Sequence, residues 1–246
     1  MASRAFGRAD LHVHTDRSDG RQRPEAVVLA AAGRVDVLAI TDHDVIAGAV
    51  DARAFARAHP ELGVEVVVGE EVSTLNGHLI GLYLEEPIPP GLSAERTVEL
   101  IHAQGGLAVA PHVLHPIRYA RRGHAPLADL LGRVPLDAVE VVNNSGPLAC
   151  FYDARAVLAN DRWMLSAVGG SDAHDARLVG SALTRFEGRD AAALRRAVAN
   201  SRTHAHLNWS WTLGELPRHM LLKCGSFLRF TRGRRARSAG PRVSAR

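Results

Sequence analysis

The sequence predicts an α/β fold with a parallel sheet. Two observations carry that expectation. Short apolar, strand-like runs alternate with helix-like segments about seven times. Four of the runs finish in side chains suited to metal ions: Asp10-Leu11-His12-Val13-His14-Thr15, Thr41-Asp42-His43-Asp44, Gly69-Glu70-Glu71-Val72-Ser73 and Ser171-Asp172-Ala173-His174. In a closed barrel of parallel strands the C-terminal ends converge on one face, which would bring the four groups together.

Each element has a local reason. The first strand is expected around His12 and His14, which lie two residues apart and so project from one face. Asp10 and Thr15 flank them as groups that could orient the rings. Residues 23–33 read as a helix, with Pro24 in its first turn and Gly33 at its end. A second strand follows at 35–41, then an Ala-rich helix at 46–59 stopped by Pro60. Strands are expected at 65–72 and 77–84, and a Pro-rich loop at 85–91. Ser93 suits the N-cap of a helix that Gly105-Gly106 terminates. A fifth strand at 107–111 leads into an Arg-rich loop at 115–125, and a short helix at 126–131 follows. Beyond it come a strand at 137–142, a helix at 147–160, a seventh strand at 165–169, a helix at 190–201 and an extended piece at 203–207.

The four blocks, with Ser18-Asp19-Gly20 after the first, resemble the signature blocks of the PHP family, named for its polymerase and histidinol-phosphatase members. The likeness runs roughly from residue 9 to residue 201. It implies a distorted seven-stranded (β/α)7 TIM-like barrel and a metal-dependent phosphoesterase activity. It also implies a ligand allocation. His12, His14, Glu71 and Asp172 would hold a first metal. Glu71 would bridge to a second, also held by His78 and His112, and Asp19, His43 and His174 would hold a third. The family's Gly-x-Glu spacing selects Glu71, and strand alternation then turns Glu70 to the opposite side. His78 opens a strand similar to the family's His-x-x-Gly-Leu. His112 has the family's spacing after Gly105-Gly106, although Val113 stands where a proline is usual and a true His-Pro pair comes only at His115-Pro116. Arg118 resembles the arginine of a His-Pro-x-Arg pattern and is the expected phosphate contact, with Arg17 as a second candidate.

The donors are imidazoles and carboxylates with no thiolate, a set that suits zinc, manganese or iron. Nine candidates exceed the roughly four that one ion takes, so two or three divalent ions are expected. Clustered ions serve displacement at phosphorus, through a metal-activated hydroxide that attacks a phosphomonoester or a nucleotide or oligonucleotide phosphate ester. Asp44 and His174 are the candidates to assist proton transfer. His102 falls inside a helix and is expected to be structural. A non-catalytic module with a structural or regulatory role is the alternative. An amidohydrolase would need a bridging lysine, and the chain's one lysine is Lys223.

Length and composition fit this reading. The chain has 246 residues, 46% of them hydrophobic, enough for one closed core over residues 1–208. Cys150 and Cys224 form no disulfide framework, which suits a reducing cytoplasm. Residues 209–246 form a separate segment, apolar on one helical face and then rich in arginine. That tail would either pack on the barrel or give weak, salt-sensitive attachment to an anionic membrane. Without the basic stretch from Pro217 onward the remainder is mildly acidic, which argues against a general nucleic-acid-binding surface. The expected partner is a phosphorylated small molecule or short nucleotide; no protein partner is implied.

Overall fold

The computed structural model describes residues 6–115, 120–144 and 149–208. Arg118 and the tail from 209 lie outside that range. In chain order the elements are β1 (Phe6–Asp10), α1 (Pro24–Ala31), β2 (Val37–Ile40), α2 (Ala47–Ala58), β3 (Glu65–Thr74), β4 (Gly77–Leu82), α3 (Ala94–Ala103), β5 (Leu107–Ala110), α4 (Leu127–Leu130), β6 (Ala138–Asn143), α5 (Ala149–Trp163), β7 (Ser166–Gly170), β8 (Ala182–Glu187), α6 (Ala191–Ala199) and β9 (Thr203–Leu207). The nine strands form one sheet in the order β7-β6-β5-β4-β3-β2-β1-β8-β9. It curls into a nearly closed, distorted barrel of the expected TIM-like kind.

Two features depart from a uniformly parallel seven-stranded barrel. β4 runs antiparallel to both β3 and β5. The reason is local. Thr74 pairs with Gly77, so only Leu75 and Asn76 connect β3 to β4. A two-residue turn can make a hairpin but not the long crossover that parallel strands need. Gly77 accepts the turn with φ 123°, a value that favours glycine. The second departure is β8, which the sequence reading passed over. It runs antiparallel to β1 and to β9. The segment between β7 and β8 holds only a single 3₁₀ turn, Ala176–Leu178, and again no crossover helix.

The helices begin as their sequences suggest. The Ser93 hydroxyl accepts from the Arg96 amide at 3.3 Å at the start of α3, and Asp190 caps α6 by accepting from the Ala193 amide at 2.6 Å. One apolar cluster fills the barrel with residues such as Leu11, Val67, Ile80, Val168 and Phe186, joined by Leu194 and Val198 of α6. A larger cluster packs the helices on the outside, with Val28, Ala52, Val98 and Ile101 among its members.

β1 ends at Asp10, before the two histidines. The chain stays extended beyond it, and Val13 forms an isolated parallel bridge with Ala173, just past β7. The His14 amide donates to the Ala173 carbonyl at 2.9 Å, and the Ala173 amide donates to the His12 carbonyl at 3.3 Å. This short seam joins the first and seventh strands at the rim. Lower down, Thr184 of β8 bonds the Gly169 amide and carbonyl, both at 2.9 Å, tying β8 to β7.

Candidate metal centre

The rim carries the chemistry. His12 and His14 come from the extension of β1, His43 from the turn after β2, Glu71 from β3, His78 from β4, His112 from the turn after β5, and Asp172 and His174 from the turn after β7. Asp19 comes from the loop that follows His14. All nine predicted metal-binding residues fall into one cluster. Their ligand atoms gather as four overlapping groups: His14, Asp19, His43 and His174; His12, His14 and Glu71; His12, His112 and Asp172; and His43, Glu71 and His78.

The tightest part is built from four side chains. His12 Nε2 lies 3.3 Å from Glu71 Oε2 and 3.4 Å from Asp172 Oδ1. His14 Nε2 lies 3.4 Å from Glu71 Oε2 and 3.3 Å from Asp172 Oδ1. Ligands about 2.0–2.1 Å from a tetrahedral ion sit about 3.3–3.4 Å apart, and these four imidazole–carboxylate separations match that value. His12 Nε2 and both ring nitrogens of His14 are buried and complete no hydrogen bond. A buried polar atom without a partner is costly, and a cation between the rings and the carboxylates would satisfy the two Nε2 atoms.

Glu71 extends the cluster. Its Oε1 lies 2.9 Å from His78 Nδ1 and 2.9 Å from His112 Nε2, while its Oε2 lies 3.2 Å from His43 Nδ1. Asp19 Oδ2 lies 3.2 Å from His174 Nε2 and 3.7 Å from His43 Nε2. The grouping differs from the allocation that the resemblance implies in three respects: His43 also falls with Glu71 and His78, His112 falls with His12 and Asp172, and His14 joins Asp19, His43 and His174. Glu70 turns away into the wall, as alternation requires, and accepts from the Ile88 amide at 2.8 Å. Burial pushes its carboxyl up to about 7.

Charge in the cluster is balanced by opposition. Burial alone would raise Glu71, but His78, His43 and His12 hold its carboxyl well below the usual range. Burial would likewise raise Asp172, and His12 and His14 hold it well below. Burial pushes His43 down to about 3. For His174 burial works downward too, but Asp19 and Asp172 overcome it and lift the ring to about 9. Ionised carboxylates among crowded imidazoles are the state that receives a divalent cation.

The supporting shell was only partly foreseen. Asp10 and Thr15 do not touch the histidine rings. Asp10 is fully buried and accepts from the amides of His12, Ser171 and Gly180 at 3.4, 2.9 and 2.8 Å, fixing backbone across the seam. Thr15 is tied to Asp42, which accepts from its amide and its hydroxyl at 2.7 Å each and from the Ser18 hydroxyl at 2.7 Å. Asp42 thereby shapes the loop between His14 and Asp19. The residue that orients a ring is Glu140, on β6, absent from the sequence-based candidates. Its Oε1 lies 3.2 Å from His12 Nδ1, and its Oε2 accepts from the His112 amide at 3.0 Å and from Asn143 Nδ2 at 2.6 Å. The available signal was a lone acid in the apolar run Ala138-Val139-Glu140-Val141-Val142.

Other candidates separate clearly. Asp44 stands beside the cluster, outside its four groups, with Oδ1 accepting from the Ser73 amide at 2.7 Å. His115 is also outside them, 6.4 Å from His112 between ring centres. His102 is on α3, where it pairs with Asp137 at 2.8 Å, away from the site. Arg17 pairs with Asp51 at 2.6 Å. His112, Asp172 and Asp44 have φ of 32°, 51° and 56°, in the left-handed region that non-glycine residues rarely adopt. Such conformations cluster at functional rims, where the surroundings hold them.

Comparison with known proteins agrees with this architecture. The family model described as PHP domain matches residues 10–128, and the one described as PHP-associated matches 154–203. An uncharacterised protein of Methanocaldococcus jannaschii is 42% identical over 148 residues, covering 55% of this chain and 81% of that protein. The chain belongs to the PHP family. Among characterised PHP relatives, the 3',5'-nucleoside bisphosphate phosphatase of Chromobacterium violaceum is 39% identical over 90 residues, 35% of this chain and 30% of that enzyme. The phosphoribosyl 1,2-cyclic phosphate 1,2-diphosphodiesterase of Eggerthella lenta is 44% identical over 87 residues, 32% of each chain. The chain thus spans about a third of the length of these two enzymes. In fold it is similar to a two-domain Bacteroides vulgatus protein described as containing a predicted PHP-like metal-dependent phosphoesterase, with TM-score 0.66, 20% identity and coverage of 82% of this chain and 65% of that one. It is also similar to PsfC of Pseudomonas syringae, with TM-score 0.61, 20% identity and coverage of 89% and 96%. With the cluster intact, this PHP protein is a metal-dependent hydrolase of the class acting on phosphate esters. Among the described residues, no helix is long and apolar enough to cross a membrane.

Proposed function

We propose that this PHP protein hydrolyses a phosphomonoester, or a phosphate ester of a nucleotide or short oligonucleotide, in the cytoplasm. Two or three zinc, manganese or iron ions would be held by His12, His14, Asp19, His43, Glu71, His78, His112, Asp172 and His174. The observation that carries the reading is the four His–carboxylate separations of 3.3–3.4 Å that link His12 and His14 to Glu71 and Asp172, with Glu71 reaching on to three further imidazoles. Bound there, such ions would lower the pKa of a water and neutralise phosphate charge.

The chain's own residues have defined parts. Glu71 shares its two oxygens between neighbouring groups and sets their separation. Glu140 fixes the His12 ring, and Asp42 fixes the loop that brings Asp19 into range. In the reaction, the oxygen of water bonds to phosphorus and the ester P–O bond breaks in line. The departing oxygen takes a proton from solvent. Asp44, whose Oδ1 accepts from the Ser73 amide, and His174, whose Nδ1–H donates to the Asp172 carbonyl, are the candidates to assist that transfer. Arg118 would contact the phosphate from the loop after β5.

The test pairs elemental analysis with a phosphate-release screen over mononucleotides, sugar phosphates and short oligonucleotides. Two or three transition ions per chain are expected. His14→Ala and Asp172→Ala should each remove nearly all phosphate release while the protein stays folded, whereas His102→Ala should leave turnover intact. A single tightly held ion, or release that survives both losses, would overturn the reading.

A further inference from the structure

Beside the cluster the rim opens into a cleft of about 420 Å³. His78 and His112, which face Glu71, belong to its lining. The remaining walls come from four places: the turn between β3 and β4, the turn after β5, the start of α4 and the first turns of α5. They contribute His115, Leu127, Phe151, Tyr152 and Arg155 among others. The volume is within the range of small-molecule sites, about 300–1,000 Å³. An ester whose phosphate sat on the cluster would have its alcohol portion next to this space.

The lining says what that portion should be. Among the described residues it contains no carboxylate, and about half of it is apolar, with Pro111, Val113, Leu114, Pro126, Leu127 and Ala128 forming one part. Its one amide, Asn76, is already engaged, donating to the Ala125 carbonyl at 2.9 Å and accepting from the Ala94 amide at 2.8 Å. A polyol would have to be met by the polar ends of His115, Tyr152 and Arg155, and any hydroxyl left unpaired would oppose binding. Flat rings are well served. The His115 and Tyr152 ring centres lie 5.6 Å apart, and Phe151 meets Tyr152 edge-on at 5.5 Å. Phe151 is 59% exposed, and nothing in the barrel core requires it there. Arg155 is exposed on the same helix, one turn beyond Phe151. A guanidinium in that place suits a planar base or a second anionic group.

We propose that this cleft is the leaving-group subsite and that Tyr152, Phe151 and Arg155 select esters carrying a heteroaromatic ring, such as nucleotides, over sugar phosphates. The proposal rests on the phosphoesterase reading above. The experiment compares kcat/KM for AMP and for glycerol phosphate in the holoenzyme, in Phe151→Ala, in Tyr152→Ala and in Tyr152→Phe. The AMP-to-glycerol-phosphate ratio should exceed one in the wild type. It should fall about tenfold in each alanine variant, in line with stacking energies per base, and be restored by Tyr152→Phe. Binding of adenosine, measured by calorimetry, is the independent arm. It should weaken in Phe151→Ala, an exposed truncation that leaves folding alone. If no phosphate ester is turned over, the activity reading fails while adenosine binding still decides the subsite. Equal kcat/KM for the two esters, a ratio unmoved by both alanine variants, or no adenosine binding would overturn the proposal.

Discussion

Glu140 shows how much of the site depends on a residue that binds no ion itself. Three per cent exposed, it takes contacts from the His12 ring, the His112 amide and Asn143 at once. A carboxylate behind a liganding imidazole fixes its tautomer and its direction, and losing it costs metal affinity about 10–100-fold. Glu140→Ala should weaken metal retention by that factor in a chelator competition while circular dichroism stays native. Glu140→Gln, which keeps an acceptor for the His112 amide, should lose less. Equal retention in wild type and Glu140→Ala would mean that the ring is held by packing alone. Seven of the nine clustered residues were legible because they sit in short blocks with their neighbours, and His78 and His112 only through the family's strand pattern and spacing. Glu140 was not, since a single acid in an apolar strand says nothing about which ring it will meet across the barrel.

At the scale of elements, the regions read correctly were those whose signals are local. α1 begins at Pro24 and α3 is capped by Ser93, both as their sequences suggest. Strand direction was less accessible. Nothing in the residues of β4 itself marks it as antiparallel; the two-residue turn before it decides that. β8 was missed because its alternation of buried and exposed residues begins only at Thr184, after a buried run. Close packing between elements sets a further constraint at the end of β7. A Cβ on Gly170 would meet the His12 Cβ at 2.6 Å and would also press on Glu140. Gly170→Ala should therefore displace both residues, lowering phosphate release by at least tenfold and metal content with it. Gly33→Ala has open space instead, so its cost should be confined to the backbone strain of φ 72°, with metal content unchanged. Metal analysis of the two purified variants separates the effects, and normal metal content in Gly170→Ala would count against the packing account.

For the molecule as a whole, the donors come from six strands or the turns that follow them, so an ion held at the rim ties most of the barrel together. A ligand that binds only the folded state adds about 2.7 kcal/mol at a hundredfold excess over its Kd. For a chain of this size that corresponds to roughly 5–10 °C in Tm. Chelation should lower the melting temperature by that amount and restoring zinc or manganese should recover it, as read by calorimetry. A melting temperature indifferent to chelator would show that the rim stands without an ion.

The seam between β1 and β7 has a consequence for the order of assembly. Asp10 and Ser171, which meet there, are 161 residues apart in the chain. Contacts so distant carry a large loop-closure cost and form late. During synthesis His12 and His14 emerge with the first strand, yet Asp172 and His174 arrive only after seven strands have been made. A nascent chain thus holds an incomplete donor set until its barrel can close. Capture of the full complement of ions becomes a checkpoint that only a finished fold can pass.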